Sequence, residues 1–318
     1  MNGENLSFDP ELKTGPPSQK GISHQLFHND NGLRAGWRLC LFIAFFLTLQ
    51  IVSETIIRTF IRPAPAVLTP SYLLLVEIVR FIALMLAAFA MSLMEQRSIN
   101  VYGLPFASAL GKRFWQGFFV GLCEISALIG LIAVFGGYSF GSLALHGTEI
   151  IEWFLLWAVI FIFVGLSEEF AFRGYAQFTL ADGIGFWPAA FVLSLLFSAV
   201  HKINGGENWF GLLSIIFISL IFAFALRRTG NLWFVVGLHA AFDFGETFLF
   251  SVPNSGVRFE GHLSNASLSG SPWLTGGTAG PEGSALSYLT MGCLALFIHF
   301  AFPAKKADVP AIENSVSS

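Results

Sequence analysis

Long apolar runs separated by short polar connections dominate the chain. Eight runs occur, at about residues 37–60, 72–94, 114–135, 150–178, 186–201, 209–226, 231–250 and 285–302. Several approach the roughly 20 residues that an α-helix needs to cross a bilayer. The runs are continuous and lack the alternation of apolar and polar residues that marks a membrane β-strand. The pattern predicts an all-α, polytopic membrane helix bundle with about eight transmembrane helices.

The same pattern divides the chain into three parts. Residues 1–36 are polar and contain no early apolar core, so we expect no cleaved signal peptide. Residues 37–302 contain all of the apolar runs and are predicted to form one transmembrane domain. Residues 303–318 are a polar tail. The connection at residues 251–284 is rich in Gly and Ser, and we expect it to bury little surface and to be mobile.

Composition supports a lipid bilayer as the main surrounding and argues against nucleic acid. Hydrophobic residues make up 54% of the chain and charged residues only 12%, unlike an ordinary soluble domain. The net charge of -3 comes from thinly spread charges, so no nucleic-acid partner is expected. Cys40, Cys123 and Cys293 lie far apart in apolar runs, without disulfide or metal-ligand spacing. We interpret them as packing residues.

The distribution of Lys and Arg favours one orientation, because these residues concentrate in cytoplasmic connections. An N-terminus inside the cell places twelve of them on the cytoplasmic side. Only four then lie outside, namely Arg58, Arg62, Lys202 and Arg258. We expect a multi-pass protein of the plasma (inner) membrane, with both termini in the cytoplasm.

Two adjacent carboxylates and an arginine follow the fourth apolar run directly, at Glu168, Glu169 and Arg173. Each ionisable group at membrane depth costs about 2.5 kcal/mol or more, so such groups are functional candidates. On a helix, Glu169 and Arg173 lie four residues apart on one face, whereas Glu168 points about 100° away. The spacing predicts a structural pair beside a carboxylate that stays free for chemistry.

Two later apolar runs each bring a histidine into the membrane. His201 ends the fifth run, and His239 lies in the seventh run four residues before Asp243, on the same helix face. A single membrane histidine is more often a hydrogen-bonded packing residue than a catalytic one. Glu77 and Arg80, three residues apart in the second run, are interpreted as an internal ion pair.

The three motifs Glu168-Glu169-x-x-x-Arg173, Phe197-x-x-x-His201 and His239-x-x-x-Asp243 occur in this order on apolar helices. Together they resemble the CAAX protease and bacteriocin-processing (CPBP) family of intramembrane proteases, which includes the Ras-converting enzyme and bacterial Abi-type proteins. The resemblance covers about residues 100–302, including a Gly-Pro-Glu-Gly stretch before the last helix.

The third motif departs from the prenyl-protein enzymes of this family, which carry Asn where this chain has Asp243. An ionised carboxylate cannot donate a hydrogen bond to a developing oxyanion. Asp243 is therefore either kept protonated by burial or orients His239 instead.

The resemblance implies a hydrolase, an intramembrane endopeptidase that acts on a peptide or a membrane-anchored protein. We expect it to need no cofactor, because the chain offers no His-Glu-x-x-His ligand pair. Glu168 would be the general base that activates water, and His201 would hold that water or share its proton. His239 and Asp243 would stabilise the tetrahedral intermediate or orient the substrate carbonyl. The neighbouring Glu–Arg pair would be structural.

Three alternatives stay open. A metalloprotease version would use zinc, because two histidines with carboxylates are possible ligands, although the chain has no His-Glu-x-x-His pair. A transporter could line a midplane cavity with the same residue types. A non-catalytic immunity or scaffold protein would tolerate the loss of Glu168 and both histidines.

The protease hypothesis requires Glu168 and the two histidines to converge. A straight fifth helix that begins at Phe186 would place His201 about 22 Å along its axis, whereas His239 lies about 12 Å along the seventh helix. We therefore expect the fifth helix to be tilted or displaced inward.

Overall fold

The structure is a computed structural model that describes residues 27–29, 32–60 and 69–303. Most of the predicted polar N-terminal segment and nearly all of the predicted tail lie outside these residues. The described helices are, in chain order, α1 (Ala35–Phe60), α2 (Pro70–Glu95), α3 (Lys112–Val134), α4 (Glu149–Glu169), α5 (Ala176–Ile184), α6 (Phe186–His201), α7 (Trp209–Thr229), α8 (Leu232–Phe244), α9 (Pro272–Thr275) and α10 (Ala285–Ala301). Two π-helical turns, at Phe170–Tyr175 and Gly245–Leu249, follow α4 and α8.

The helices confirm the prediction of a polytopic membrane bundle. Among the described residues, six helical segments are long and apolar enough to cross a membrane. Two of these segments include a π-turn, since one runs from Glu149 to Ile184 and another from Leu232 to Leu249. Helices α6 and α10 are apolar but shorter. The protein is an integral membrane protein.

Asparagine caps set where two of the site helices begin. The side chain of Asn208 accepts hydrogen bonds from the backbone N–H groups of Phe210 and Gly211 at the start of α7. Asn231 does the same for Trp233 at the start of α8. These side chains satisfy N–H groups that a helix leaves without partners. The first cap fixes α7 beside the end of α6, and the second fixes how far along α8 each polar residue lies.

A glycine seam, formed by Gly117 and Gly121 of α3 and Gly237 of α8, brings these two helices into close contact. A β-carbon at Gly117 would clash with the carbonyl of Phe234, and one at Gly121 would clash with the carbonyl of Leu238. Small residues of this kind let helix backbones approach closely in lipid, where apolar surface alone drives little association. Helix α8 is therefore held at the centre of the bundle.

The connection between α8 and α10 folds against the bundle. Its strand Ser267–Leu268 pairs antiparallel with the strand Tyr138–Ser139, and the indole N–H of Trp157 donates to the carbonyl of Gly261 at 3.1 Å. Ser264 and Ser284 are fully buried. The prediction that this connection buries little surface is wrong, because its small residues let the backbone itself pack closely and form hydrogen bonds.

Two smaller predictions have opposite outcomes. The internal ion pair is confirmed, since Arg80 donates to Glu77 at 2.7 Å. The cysteines are not packing residues, because Cys40, Cys123 and Cys293 are all exposed on the outside of the bundle. Apolar runs place residues on every face of a helix, so a cysteine in such a run can point away from the core.

Candidate active site

The first motif lies where α4 changes into a π-turn. Glu168 and Glu169 are the last residues of α4, and the turn Phe170–Tyr175 follows at once. Within that turn, Gly174 departs from helical backbone angles. Single π-turns inside helices are frequent at functional sites. Here the turn carries Arg173, so the predicted pair is formed across a widened helical turn.

Glu169 and Arg173 form a buried ion pair. Nη1 of Arg173 donates to Oε1 of Glu169 at 3.2 Å, and both side chains are almost completely excluded from solvent. Nη2 of Arg173 donates to Oγ of Ser219 at 2.5 Å, and this hydroxyl donates in turn to Ser194 at 2.7 Å. The guanidinium also lies 4.3 Å from the ring centre of Phe197. The arginine thus connects α4, α6 and α7.

Glu169 has a second partner that sequence spacing did not predict. Its Oε1 lies 2.7 Å from Nδ1 of His239. An ionised carboxylate only accepts hydrogen bonds, so Nδ1 carries the proton and donates to Glu169. Nε2 of His239 then faces Oδ2 of Asp243 at 3.4 Å and Oε2 of Glu168 at 3.8 Å. Glu169 therefore sets the orientation of the ring, and Asp243 contacts its opposite edge.

His201 approaches Glu168 from the end of α6. Its Nδ1 lies 2.8 Å from the carbonyl oxygen of Phe197 and donates to it, which leaves Nε2 free. Nε2 lies 3.9 Å from Oε2 of Glu168. Glu168 keeps a side chain that is 24% exposed, and its Oε2 has no hydrogen-bond partner among the described residues. The structure thus brings Glu168 and both histidines together, as the hypothesis requires.

A small cavity opens beside the two histidines. It has a volume of about 40 Å³, and its lining includes Phe197, His201, His239, Asp243 and Glu282. Glu282 comes from the 3-10 turn Pro281–Gly283 in the connection before α10. The sequence shows this Gly-Pro-Glu-Gly stretch but does not indicate a role for Glu282, because a Gly- and Ser-rich connection is expected to bury little surface.

The described residues do not form a metal site. No group of three or more His, Cys, Asp or Glu side chains among them is placed so that it could hold a metal ion. Oε2 of Glu168 lies 3.9 Å from His201 and 3.8 Å from His239, and Glu169 is already engaged by Arg173 and His239. No step below passes through a metal.

Comparison with known families identifies the segment that carries the three motifs. Residues 150–245 match the family model described as "Type II CAAX prenyl endopeptidase Rce1-like". This range covers less than half of the chain but contains all six residues singled out from the motifs, namely Glu168, Glu169, Arg173, His201, His239 and Asp243. Searches of curated proteins and of solved structures found no match. The resemblance predicted from the motifs is confirmed over this segment, and the match supports an intramembrane endopeptidase in general terms.

Proposed function

We propose that this membrane protein is an intramembrane endopeptidase of the CAAX type in which Glu168 activates the attacking water. The observation that carries the proposal is the position of Glu168, whose Oε2 has no hydrogen-bond partner among the described residues and lies 3.8–3.9 Å from Nε2 of both histidines. The adjoining cavity of about 40 Å³ is large enough for water, since one molecule needs roughly 10–15 Å³ of such space.

In the proposed reaction, His201 holds the water and Glu168 takes its proton. The Nδ1 proton of His201 is directed to a backbone carbonyl, so the lone pair on Nε2 can accept a hydrogen bond from the water. Glu168 removes the other proton as the water oxygen bonds to the substrate carbonyl carbon. When the C–N bond breaks, Glu168 returns that proton to the leaving amine.

His239 is the proposed partner of the oxyanion. Its Nδ1–H is committed to Glu169, so only Nε2 can reach the substrate. Nε2 donates to an oxyanion only when it carries a proton, so this role requires the imidazolium form. Asp243, 3.4 Å from Nε2, is placed to hold that form. This assignment gives Asp243 a role other than that of the Asn amide in the prenyl-protein enzymes.

The test is proteolysis of a quenched membrane-peptide library by the full-length protein in detergent. We expect Glu168→Gln and Glu168→Ala to lower cleavage by at least about a hundredfold, as loss of a general base does. The matched control is Glu152→Ala, because Glu152 is an exposed glutamate of the same helix.

The outcomes separate the proposal from its alternatives. Cleavage that is lost in the Glu168 variants and kept with a strong chelator supports the glutamate mechanism. Cleavage that the chelator abolishes and zinc restores moves the enzyme to the metalloprotease class. A native-cell phenotype that survives Glu168→Ala would contradict catalysis and support an immunity or scaffold role.

A further inference from the structure

A second group of carboxylates lies next to the proposed active site. Glu207 follows α6, Glu246 lies in the π-turn after α8, and Glu282 lies in the turn before α10. We call Glu207, Glu246 and Glu282, together with Asp243, the carboxylate cluster. Its members interact electrostatically with one another, since Glu246 lies within range of Glu207, Asp243 and Glu282. The cluster therefore gathers four carboxyl groups beside the cavity, of which Asp243 and Glu282 line it.

The cluster has too few partners for a structural ion network. Glu246 is completely buried, and neither of its carboxylate oxygens has a hydrogen-bond partner among the described residues. Oε1 of Glu282 is likewise buried and without a partner in this part of the chain. Buried polar groups are normally hydrogen-bonded, and buried charges are normally paired. A group with this much unused acceptor capacity is suited to a ligand that donates hydrogen bonds and carries positive charge.

Burial and the crowding of like charges disfavour ionisation of these carboxyl groups while no cation is bound. Burial, and then repulsion from Glu207 and Asp243, raise the pKa of Glu282 well above its ordinary value. A positively charged ligand would offset both effects, because an opposite charge within about 4–6 Å favours the ionised carboxylate.

The cavity narrows the choice of ligand. Glu282 and Asp243 line it together with His201 and His239, so the ligand would lie next to the reacting atoms. The volume of about 40 Å³ has room for roughly three or four molecules the size of water, at about 10–15 Å³ each, so a compact ammonium group fits, whereas the larger, planar guanidinium would fill it. The described residues offer no arrangement for a metal ion. The cation is therefore expected to belong to the substrate.

We propose that Glu282, supported by the buried Glu246, is a specificity-determining residue that binds a primary ammonium group of the peptide substrate near the bond that is cut. The ammonium can come from a lysine side chain or from a free peptide N-terminus. This inference rests on the proposed endopeptidase function, because it assigns a substrate preference to the same cavity.

The cleavage test uses matched peptides of one apolar sequence, with lysine, arginine or norleucine scanned through the positions around the cut. A second set compares free with acetylated N-termini. We expect the full-length protein to prefer lysine over norleucine by about tenfold, the size of one charge-assisted hydrogen bond. In Glu282→Gln this ratio should approach one. Glu260→Gln, an exposed glutamate of the same connection, should leave it unchanged.

The two sets of peptides identify the source of the ammonium. A preference for lysine at one position assigns a side-chain pocket, whereas a loss of cleavage on acetylation assigns recognition of the N-terminus. An equal preference for arginine would contradict the size argument. A lysine-to-norleucine ratio that is the same in the unmodified protein and in Glu282→Gln would overturn the proposal.

Binding to the Glu168→Ala protein tests the same proposal without cleavage. Fluorescence anisotropy should show tighter binding of the lysine peptides than of the norleucine peptides, and Glu282→Gln in this background should remove the difference. Glu246→Gln should raise the melting temperature while lowering the lysine preference, a combination that a purely structural carboxylate would not give. Equal binding of both peptides would reject the ammonium site even where cleavage depends on Glu168. Conversely, a lysine preference in binding with cleavage that is indifferent to Glu168 would reject only the proposed mechanism.

Discussion

Adjacent residues of the first motif have different environments in the folded protein. Oε1 of Glu169 contacts both Arg173 and His239, at 3.2 and 2.7 Å, and the side chain is fully buried. Glu168 points into the space between the histidines and keeps partial exposure. The 100° step between successive helical residues is enough to separate a structural carboxylate from a free one.

Loss of Arg173 should strongly destabilise the folded protein. Arg173→Gln leaves Glu169 buried without its main cation, and breaking a buried pair in this way costs about 3–5 kcal/mol. We expect a large drop in the melting temperature in detergent. The matched control is Arg58→Gln, which breaks the ion pair between Glu54 and Arg58. That pair has the same four-residue spacing but is exposed. The control should leave the melting temperature unchanged, and equal shifts in the two variants would refute the structural role of Arg173.

Whole helices were well predicted because continuous apolar runs with polar ends define them directly. Residues 186–201 were expected to form one helix, and α6 spans Phe186–His201. The convergence of His201 with Glu168 could only be stated as a requirement, because helix tilt and displacement are set by packing against neighbours. The hydrogen bond between Glu169 and His239 joins residues 70 positions apart and leaves no local signal.

The close contact of α3 and α8 at the glycine seam should not tolerate an added β-carbon. Gly121→Ala forces α3 away from the Leu238 carbonyl of α8, and such overpacking costs about 1–3 kcal/mol. The control is Gly130→Ala on the same helix, where an added β-carbon meets no atom within 4 Å. Alanine favours a helix over glycine by about 1 kcal/mol, so this control should be stabilising or neutral. Thermal unfolding of both variants in one detergent provides the measurement, and an equal response would rule out a close helix contact.

The whole molecule combines site residues from separate helices and one connection. Arg38 of α1 donates to Glu95 of α2 at 2.8 Å and to Asp182 of α5 at 3.0 Å, which ties the first helix to α5, the continuation of α4 beyond its π-turn. The connection before α10 adds Glu282 to the cavity. The sequence does not predict that Glu282 reaches the cavity, because composition identifies a Gly- and Ser-rich segment but does not reveal where its backbone packs.

The orientation of the bundle in the membrane remains a prediction from its Lys and Arg distribution. In a background with Cys40, Cys123 and Cys293 replaced by Ser, we expect Gly205→Cys to react with an impermeant maleimide in intact cells, because it lies in the connection after α6. Ala107→Cys, in the connection between α2 and α3, should react only after the membrane is opened. Both positions are exposed. The opposite labelling pattern would place the termini outside.

The π-turn at Phe170–Tyr175 also sets how the helices on its two sides face each other. Because a π-turn closes over one residue more than an α-turn, a regular α-helix with the same number of residues would turn α5 by about 100° relative to α4. Either Glu168 would then turn away from both histidines, or α5 would lose its register with α6. The widened turn at Phe170–Tyr175, and not only the residue types of the first motif, therefore determines which way Glu168 faces.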